Sequence, residues 1–191
     1  MKEIELKVLD MSSVLKPSDS FALVLEEVGG RERKLALIIG AMEAQGIRMA
    51  KMHYKPPRPF THELMLSIMQ AGRIWLEKGV IYEVKDGIYY TYLYVRRFDG
   101  ELEIVDARTS DAIVLSLRAG FPLYVYEDLL EREQLRNISS DGLKYTVTIN
   151  SVDMEMLKKA MEEAVASEDY ERASLLRDEI RRREQEEKGE R

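Results

Sequence analysis

The stretch Ile88–Ala112, IYYTYLYVRRFDGELEIVDARTSDA, decides the fold. Its first residues alternate. Ile88, Tyr90, Tyr92 and Tyr94 share one side and Tyr89, Leu93 and Val95 the other, which is the two-residue period of a strand. Phe98-Asp99-Gly100 is a hairpin turn, and Glu101–Val105 is the returning strand. Then the period changes. The polar run Asp106-Ala107-Arg108-Thr109-Ser110-Asp111 forms a loop. A mostly apolar helix opens at Ser110-Asp111, runs through Ala119 and ends at Gly120, with Pro122 just behind.

Working outward, Lys85-Asp86-Gly87 is a second hairpin turn, so residues 74–106 form a meander of long strands. Ile4, Leu6 and Val8 alternate with charged neighbours, which predicts a half-buried strand over 2–10. Phe21–Val28 is a second strand, and Gly29-Gly30 turns into a third, Lys34–Ile39, ending at Gly40. Ala41–Met52 changes to a helical pattern. Lys55-Pro56-Pro57-Arg58-Pro59 is an extended loop, because proline lacks an amide donor and restricts the residue before it. Thr61 is the expected N-cap of a helix from His62 to Ala71, whose apolar face is Leu64, Met65, Ile68 and Met69; Gly72 stops it. Leu123–Tyr126 is a short strand and Glu127–Arg136 a short charged helix.

Farther on, Met154, Leu157, Met161 and Ala164/Val165 recur at helical steps, and Ala173, Leu176 and Ile180 do so again after Ser167-Glu168-Asp169. Two amphipathic helices joined by a short turn make a helical hairpin. The fold class is therefore α+β: a mixed or antiparallel sheet with packed helices, followed by a C-terminal α-helical hairpin. The expected division is a domain over 1–136, a polar linker over 137–152 around Tyr145-Thr146-Val147, the hairpin over 153–187 and a frayed tail over 188–191. The hairpin's narrow apolar stripe calls for a second hairpin or another protein.

The 191 residues include no cysteine, which removes disulfides, thiolate metal sites and cysteine nucleophiles together. No apolar run reaches the ~18 residues of a membrane span, and the charged, alternating N-terminus has no secretory core. The expected location is the cytoplasm. The net charge of −6 argues against nucleic-acid binding over the whole surface. Residues 153–191 carry 9 Lys and Arg against 13 Asp and Glu, and the remainder 20 against 22, so the body is nearly neutral. An anionic ligand must meet a local patch. Between Ala44 and His62 there is no acidic residue, while Arg48, Lys51, Lys55 and Arg58 are present together with both histidines, His53 and His62.

Three segments carry candidate chemistry. In Leu37-Ile38-Ile39-Gly40-Ala41-Met42-Glu43-Ala44 a strand delivers a glycine and then a helix, whose free amides can hold phosphate. Its plain reading is a turn with Glu43 favourably placed in the first helical turn. In Arg58-Pro59-Phe60-Thr61-His62-Glu63 the arginine suits a bidentate grip on phosphate, and the histidine can serve as acid, base or metal ligand. The plain reading there is a capped helix start with a surface histidine. In Asp106–Asp111 two carboxylates, an arginine and two hydroxyls fall within six residues, at a junction where rigid elements commonly hold sites. Two carboxylates there can hold Mg²⁺ or Mn²⁺; alternatively Ser110 caps the helix, Asp111 offsets its dipole, and Asp106 pairs with Arg108. The tyrosine ladder is read as core or interface.

Together the three segments resemble the bifunctional nuclease family, in the order Ile39-Gly40 with Glu43-Ala44, then Arg58-Pro59-Phe60-Thr61-His62-Glu63, then Asp106-Ala107-Arg108-Thr109-Ser110-Asp111-Ala112. The similarity covers about Leu35–Leu130. The family often has proline where this chain has Thr109, a change expected to loosen the loop without removing a polar group. Leu157, Met161, Ala164-Val165, Asp169-Tyr170-Glu171, Ala173, Leu176-Arg177-Asp178 and Ile180 resemble the UVR motif of excision-repair proteins and protease-associated adaptors, in which the hairpin docks onto another protein.

The resemblance implies phosphodiester hydrolysis in both DNA and RNA with little sequence specificity. On that footing Glu43, Asp106 and Asp111 are the candidate ligands of a divalent metal, Mg or Mn. His62 is the candidate base or leaving-group acid, with Glu63 beside it. Arg58, Arg108 and Ser110 are candidates to hold the phosphate, and Arg48, Lys51 and Lys55 to track the backbone. Self-association as a dimer or higher oligomer is expected from the methionines and the tyrosine-rich sheet. Two other readings stand beside this one: a non-catalytic oligomeric binding or adaptor module in a stress or repair response, and a small-molecule phosphoesterase.

Overall fold

A computed structural model of the chain describes residues 1–15, 20–134 and 154–166, together with 170, 173–174, 176–178 and 180–181. Contacts divide it into two compact units, Met1–Leu135 and Arg136–Arg191.

The first unit runs β1 (Glu3–Leu15), β2 (Ser20–Glu27), β3 (Lys34–Ile39), α1 (Ala41–Lys51), α2 (Thr61–Ala71), β4 (Ile74–Lys85), β5 (Ile88–Arg97), β6 (Leu102–Arg108), α3 (Thr109–Ala119), β7 (Leu123–Tyr126) and α4 (Glu127–Glu133). The strands form one seven-stranded sheet in the order β3-β2-β1-β7-β4-β5-β6. Neighbours are antiparallel except β4 and β7, which run parallel with Gly79–Ile81 beside Leu123–Val125. The sheet is thus mixed and the domain α+β. Gly79 allows this pairing to close, since a Cβ there would stand 3.0 Å from the Leu123 side chain.

Leu23, Leu25, Leu35, Leu37, Ile81 and Val125 from the strands bury against Ile47 of α1, Ile113 of α3 and Leu129 of α4. Each such side chain contributes roughly 1.5–3 kcal/mol on burial. α1 presents Ala44, Ile47 and Ala50 inward at three-residue steps, small enough to bring it close to α3. α3 buries Ala112 and Leu115 against Leu93 of β5, and α2 packs beside α3 and β4. Asp86 and Gly87, both at positive φ, make the β4–β5 turn of the type that follows strand twist.

Four local expectations need correction. β1 continues to Leu15 because its pairing with β2 carries on from Leu6↔Glu27 to Leu15↔Ser20, past the point where its own alternation fades. β6 continues to Arg108 because Tyr90↔Arg108 and Thr91↔Ala107 prolong its ladder with β5. α3 then starts at once, so no Asp106–Asp111 loop exists. Ser110 is not the N-cap: Arg108 occupies that position, and Ser110 is buried in the first turn. Thr61 is likewise the first residue of α2, with Phe60 at the cap position. There the Glu63 carboxylate accepts the Phe60 amide at 3.0 Å, reaching back from the first turn to the cap residue.

In the second unit α5 spans Met154–Ala166, and the described residues from 170 to 181 are helical. Ala164, Ala173, Leu176 and Ile180 are buried at expected apolar positions of the hairpin; Ala160 is buried as well, while Val165 is exposed. The interval 137–152 with its Tyr145-Thr146-Val147 run, and the tail 188–191, lie outside the described residues. Among the described residues no helix is long and apolar enough to cross a membrane.

Candidate active site at three helix N-termini

The first turns of α1, α2 and α3 meet through their side chains. His62 Nε2 of α2 lies 3.0 Å from Asp111 Oδ1 of α3. Arg108, at the N-cap of α3, donates from Nε to Asp111 Oδ2 at 2.8 Å and from Nη2 to Asp111 Oδ1 at 3.2 Å. Its Nη1 donates to Glu43 Oε1 of α1 at 3.2 Å. The three segments singled out in the sequence are therefore one constellation: His62, Asp111, Arg108 and Glu43. The positive ends of three helices add to the Arg108 charge there and favour an anion.

Burial alone would raise the Asp111 carboxyl, but the hydrogen bonds from Arg108 and His62 outweigh it and hold the group below the usual carboxylate range. An ionised carboxylate only accepts. His62 Nε2 is therefore the donor to Asp111 Oδ1. Glu43 owes its pose to Gly40. The Gly40 φ of −75° is open to any residue, yet a Cβ there would stand 2.6 Å from Glu43 Oε2. The sequence marked Gly40 as the turn before a candidate helix N-terminus; that it leaves room for the Glu43 carboxylate was not read, although a glycine three residues before the acid was a signal.

The remaining candidates sit elsewhere. Asp106 accepts from Tyr82 Oη at 3.2 Å and lies opposite Tyr92, which stacks on Tyr82 at 3.7 Å. Burial, the hydrogen bond with Tyr92 and the nearby Asp106 charge push the Tyr82 phenol well up, so it stays a donor. Asp106 is not the partner of Arg108. Glu63 is committed to the Phe60 amide and to Arg118 Nη2, 2.7 Å away, so it shapes α2. Ser110 has 9% of its surface exposed, too little to grip a substrate. Thr109 does not loosen the junction: its hydroxyl donates to the Tyr89 carbonyl at 2.9 Å and meets Thr91 Oγ1 at 2.7 Å, so Thr91 is the donor of that pair.

Among the basic residues, Arg48 lies over the Phe21 ring at 5.4 Å, and Lys51 donates to the Leu9 carbonyl at 2.9 Å. Lys55 and Arg58 are exposed on the loop leading into α2. His53 follows α1 at a positive φ of 50° and joins none of these contacts.

Glu43, Asp106 and Asp111 as placed do not fit a divalent cation. A guanidinium already stands between Glu43 and Asp111, and Asp106 is engaged by a phenol. Among the described residues no group of three or more histidines or acids could hold a metal.

The first unit is an α+β domain in which a histidine–carboxylate pair and an arginine meet at three helix N-termini, an arrangement able to face an anion. The chain belongs to the bifunctional nuclease domain family, whose model matches residues 23–137, more than half of the chain. The UvrB/uvrC motif matches residues 155–186. Two relatives from Mycobacterium tuberculosis, the uncharacterized proteins MT1877 and Rv1829 of strains CDC 1551 and H37Rv, are each 30% identical over 157 residues, covering 82% of this chain and 92% of theirs.

Proposed function

We propose that this protein hydrolyses phosphodiester bonds in DNA and RNA with little sequence preference, at the His62–Asp111–Arg108–Glu43 site. The observation that carries the reading is the convergence of these four side chains on three helix N-termini. His62 Nδ1 takes a proton from the water that attacks phosphorus, the P–O bond to one sugar oxygen breaks, and that oxygen leaves with a proton from solvent. Asp111 orients the ring and balances the imidazolium until it returns its proton to solvent. Arg108, with 69% of its side chain exposed, turns to the phosphate and stabilises the charge that builds up on it. Glu43 sets the angle from which Arg108 does so. Lys55 and Arg58 hold the backbone of the strand without reading bases. No step runs through a metal.

Purified protein is incubated with single-stranded RNA and double-stranded DNA in Mg²⁺, in Mn²⁺ and in EDTA, beside His62→Gln and Asp111→Asn. Cleavage in EDTA that both variants lose supports the site as drawn. Cleavage lost in EDTA instead means that a metal displaces Arg108 from between Glu43 and Asp111. Equal cleavage by all preparations marks a contaminant. No cleavage favours the adaptor reading, and turnover confined to mononucleotides favours the small phosphoesterase.

The partners proposed are DNA and RNA at the site and another protein or second hairpin at 153–187. Self-association is also part of the proposal, because α2 leaves Leu64, Met65 and Ile68 exposed. A monomer in sedimentation at working concentrations would remove it. The proposed location is the cytoplasm.

A further inference from the structure

α2 carries His62, yet none of its residues is buried. Its apolar seat is a half-buried one, Leu66 against the cluster of Leu93, Ala112, Leu115 and Phe121, so polar contacts at its first turn help decide how His62 is held. One is His62 with Asp111. The other comes from the same helix two turns on: Arg118 of α3, seven residues after Asp111 and so on the same face. Arg118 Nη2 holds Glu63 Oε1 at 2.7 Å, and Nη1 donates to the Tyr54 carbonyl at 2.6 Å. The Arg118 side chain is 11% exposed, and its Nε is buried without a hydrogen-bond partner. Enclosing a guanidinium is costly unless its contacts are specific and strong.

His62 and Glu63 are neighbours on a helix and project about 100° apart. With only the half-buried Leu66 seat and one polar grip, the roll of the first turn of α2 is weakly held. Two grips at that angle, both from α3, fix the roll as well as the distance. The Tyr54 carbonyl adds a third point, on the loop that carries Lys55 and Arg58. We infer that Arg118 is a positioning residue: by clamping Glu63 and the Tyr54 carbonyl it holds His62 against Asp111 in the reactive orientation. The inference rests on the reading of His62 as the acid–base group.

The chain has two histidines, so histidine-selective NMR of the whole protein shows two imidazole spin systems, with His53 as the internal reference. In Arg118→Met the His62 ring ¹⁵N shifts move to those of Asp111→Asn while His53 stays in place. In Arg118→Lys they lie between, because an ammonium cannot span both partners as the fork does. kcat for cleavage falls by about 10²-fold in Arg118→Met, the scale of a misplaced catalytic group. Should Arg118→Met fail to fold, Arg118→Gln, too short to reach both Glu63 and the Tyr54 carbonyl, gives the same His62 displacement. A folded Arg118→Met, or in its place Arg118→Gln, with wild-type His62 signals overturns the inference. The ring signals do not depend on turnover, so a wild-type protein without nuclease activity would remove the proposed function and leave this test intact.

Discussion

At the residue scale, Gly40 shows how space can matter more than backbone freedom. Its Cα faces the end of the Glu43 side chain, which is flexible, so a methyl group would displace the carboxylate without deforming the fold. Gly40→Ala is expected to change unfolding free energy by less than about 1 kcal/mol. It should reduce kcat about tenfold or more, the loss of one charge-assisted hydrogen bond on Arg108. Denaturant melts and cleavage rates check both halves, and a destabilisation of several kcal/mol would mean that Gly40 serves the backbone instead. Asp111 gives a pH dependence whose sign follows from its depressed folded value. Its stabilising contribution is present above the ordinary carboxyl value, about 4, and is lost as pH falls through the lower folded value. Thermal melts should therefore decline below pH ~4, and part of that decline should vanish in Asp111→Asn. An identical acid limb in wild type and variant would refute the assignment.

At the element scale, α3 is the part of the molecule on which the site depends. Its N-cap supplies Arg108, its first turn Asp111, and its last turn Arg118. Its start is pinned to β5 by the buried hydroxyls of Thr109 and Thr91. Thr109→Val should cost about 1–3 kcal/mol, because the buried Thr91 hydroxyl loses its acceptor and the Tyr89 carbonyl loses the Thr109 donor. Adding Thr91→Val should recover part of that loss, since an apolar pair leaves one fewer orphan. Additive losses in chemical melts would contradict the pairing. α3 also shows what sequence can disclose. Its apolar run, its Gly120 stop and its acidic first turn were legible, as was the motif through Asp111. The extension of β6 to Arg108 was not, because it depends on pairing with β5 and not on its own residues. Nor was the role of Arg118, whose partners lie on another helix and a distant loop, or the engagement of Asp106 by Tyr82 across the meander.

At the scale of the whole molecule, the question is how a chain of net charge −6 meets a polyanion. The candidate surface is small. Of the basic residues between Ala44 and His62, Arg48 is drawn over Phe21 and Lys51 caps the Leu9 carbonyl. That leaves Lys55 and Arg58 exposed on the α2 approach, with Arg108 at the site, as the proposed phosphate contacts. Three phosphate contacts on single-stranded RNA correspond to a slope of log K against log salt of about −2, far shallower than that of a protein with a broad basic face. Replacing Lys55 or Arg58 with glutamine should weaken binding equally for all sequences and reduce that slope by roughly one phosphate contact. Arg48→Gln and Lys51→Gln should change it little. The measurement is fluorescence anisotropy of labelled oligonucleotides, using the inactive His62→Gln background, over a salt series. A slope several-fold steeper, or one that responds to Arg48 and Lys51 instead, would place the nucleic acid on a different surface and detach it from the three helix N-termini.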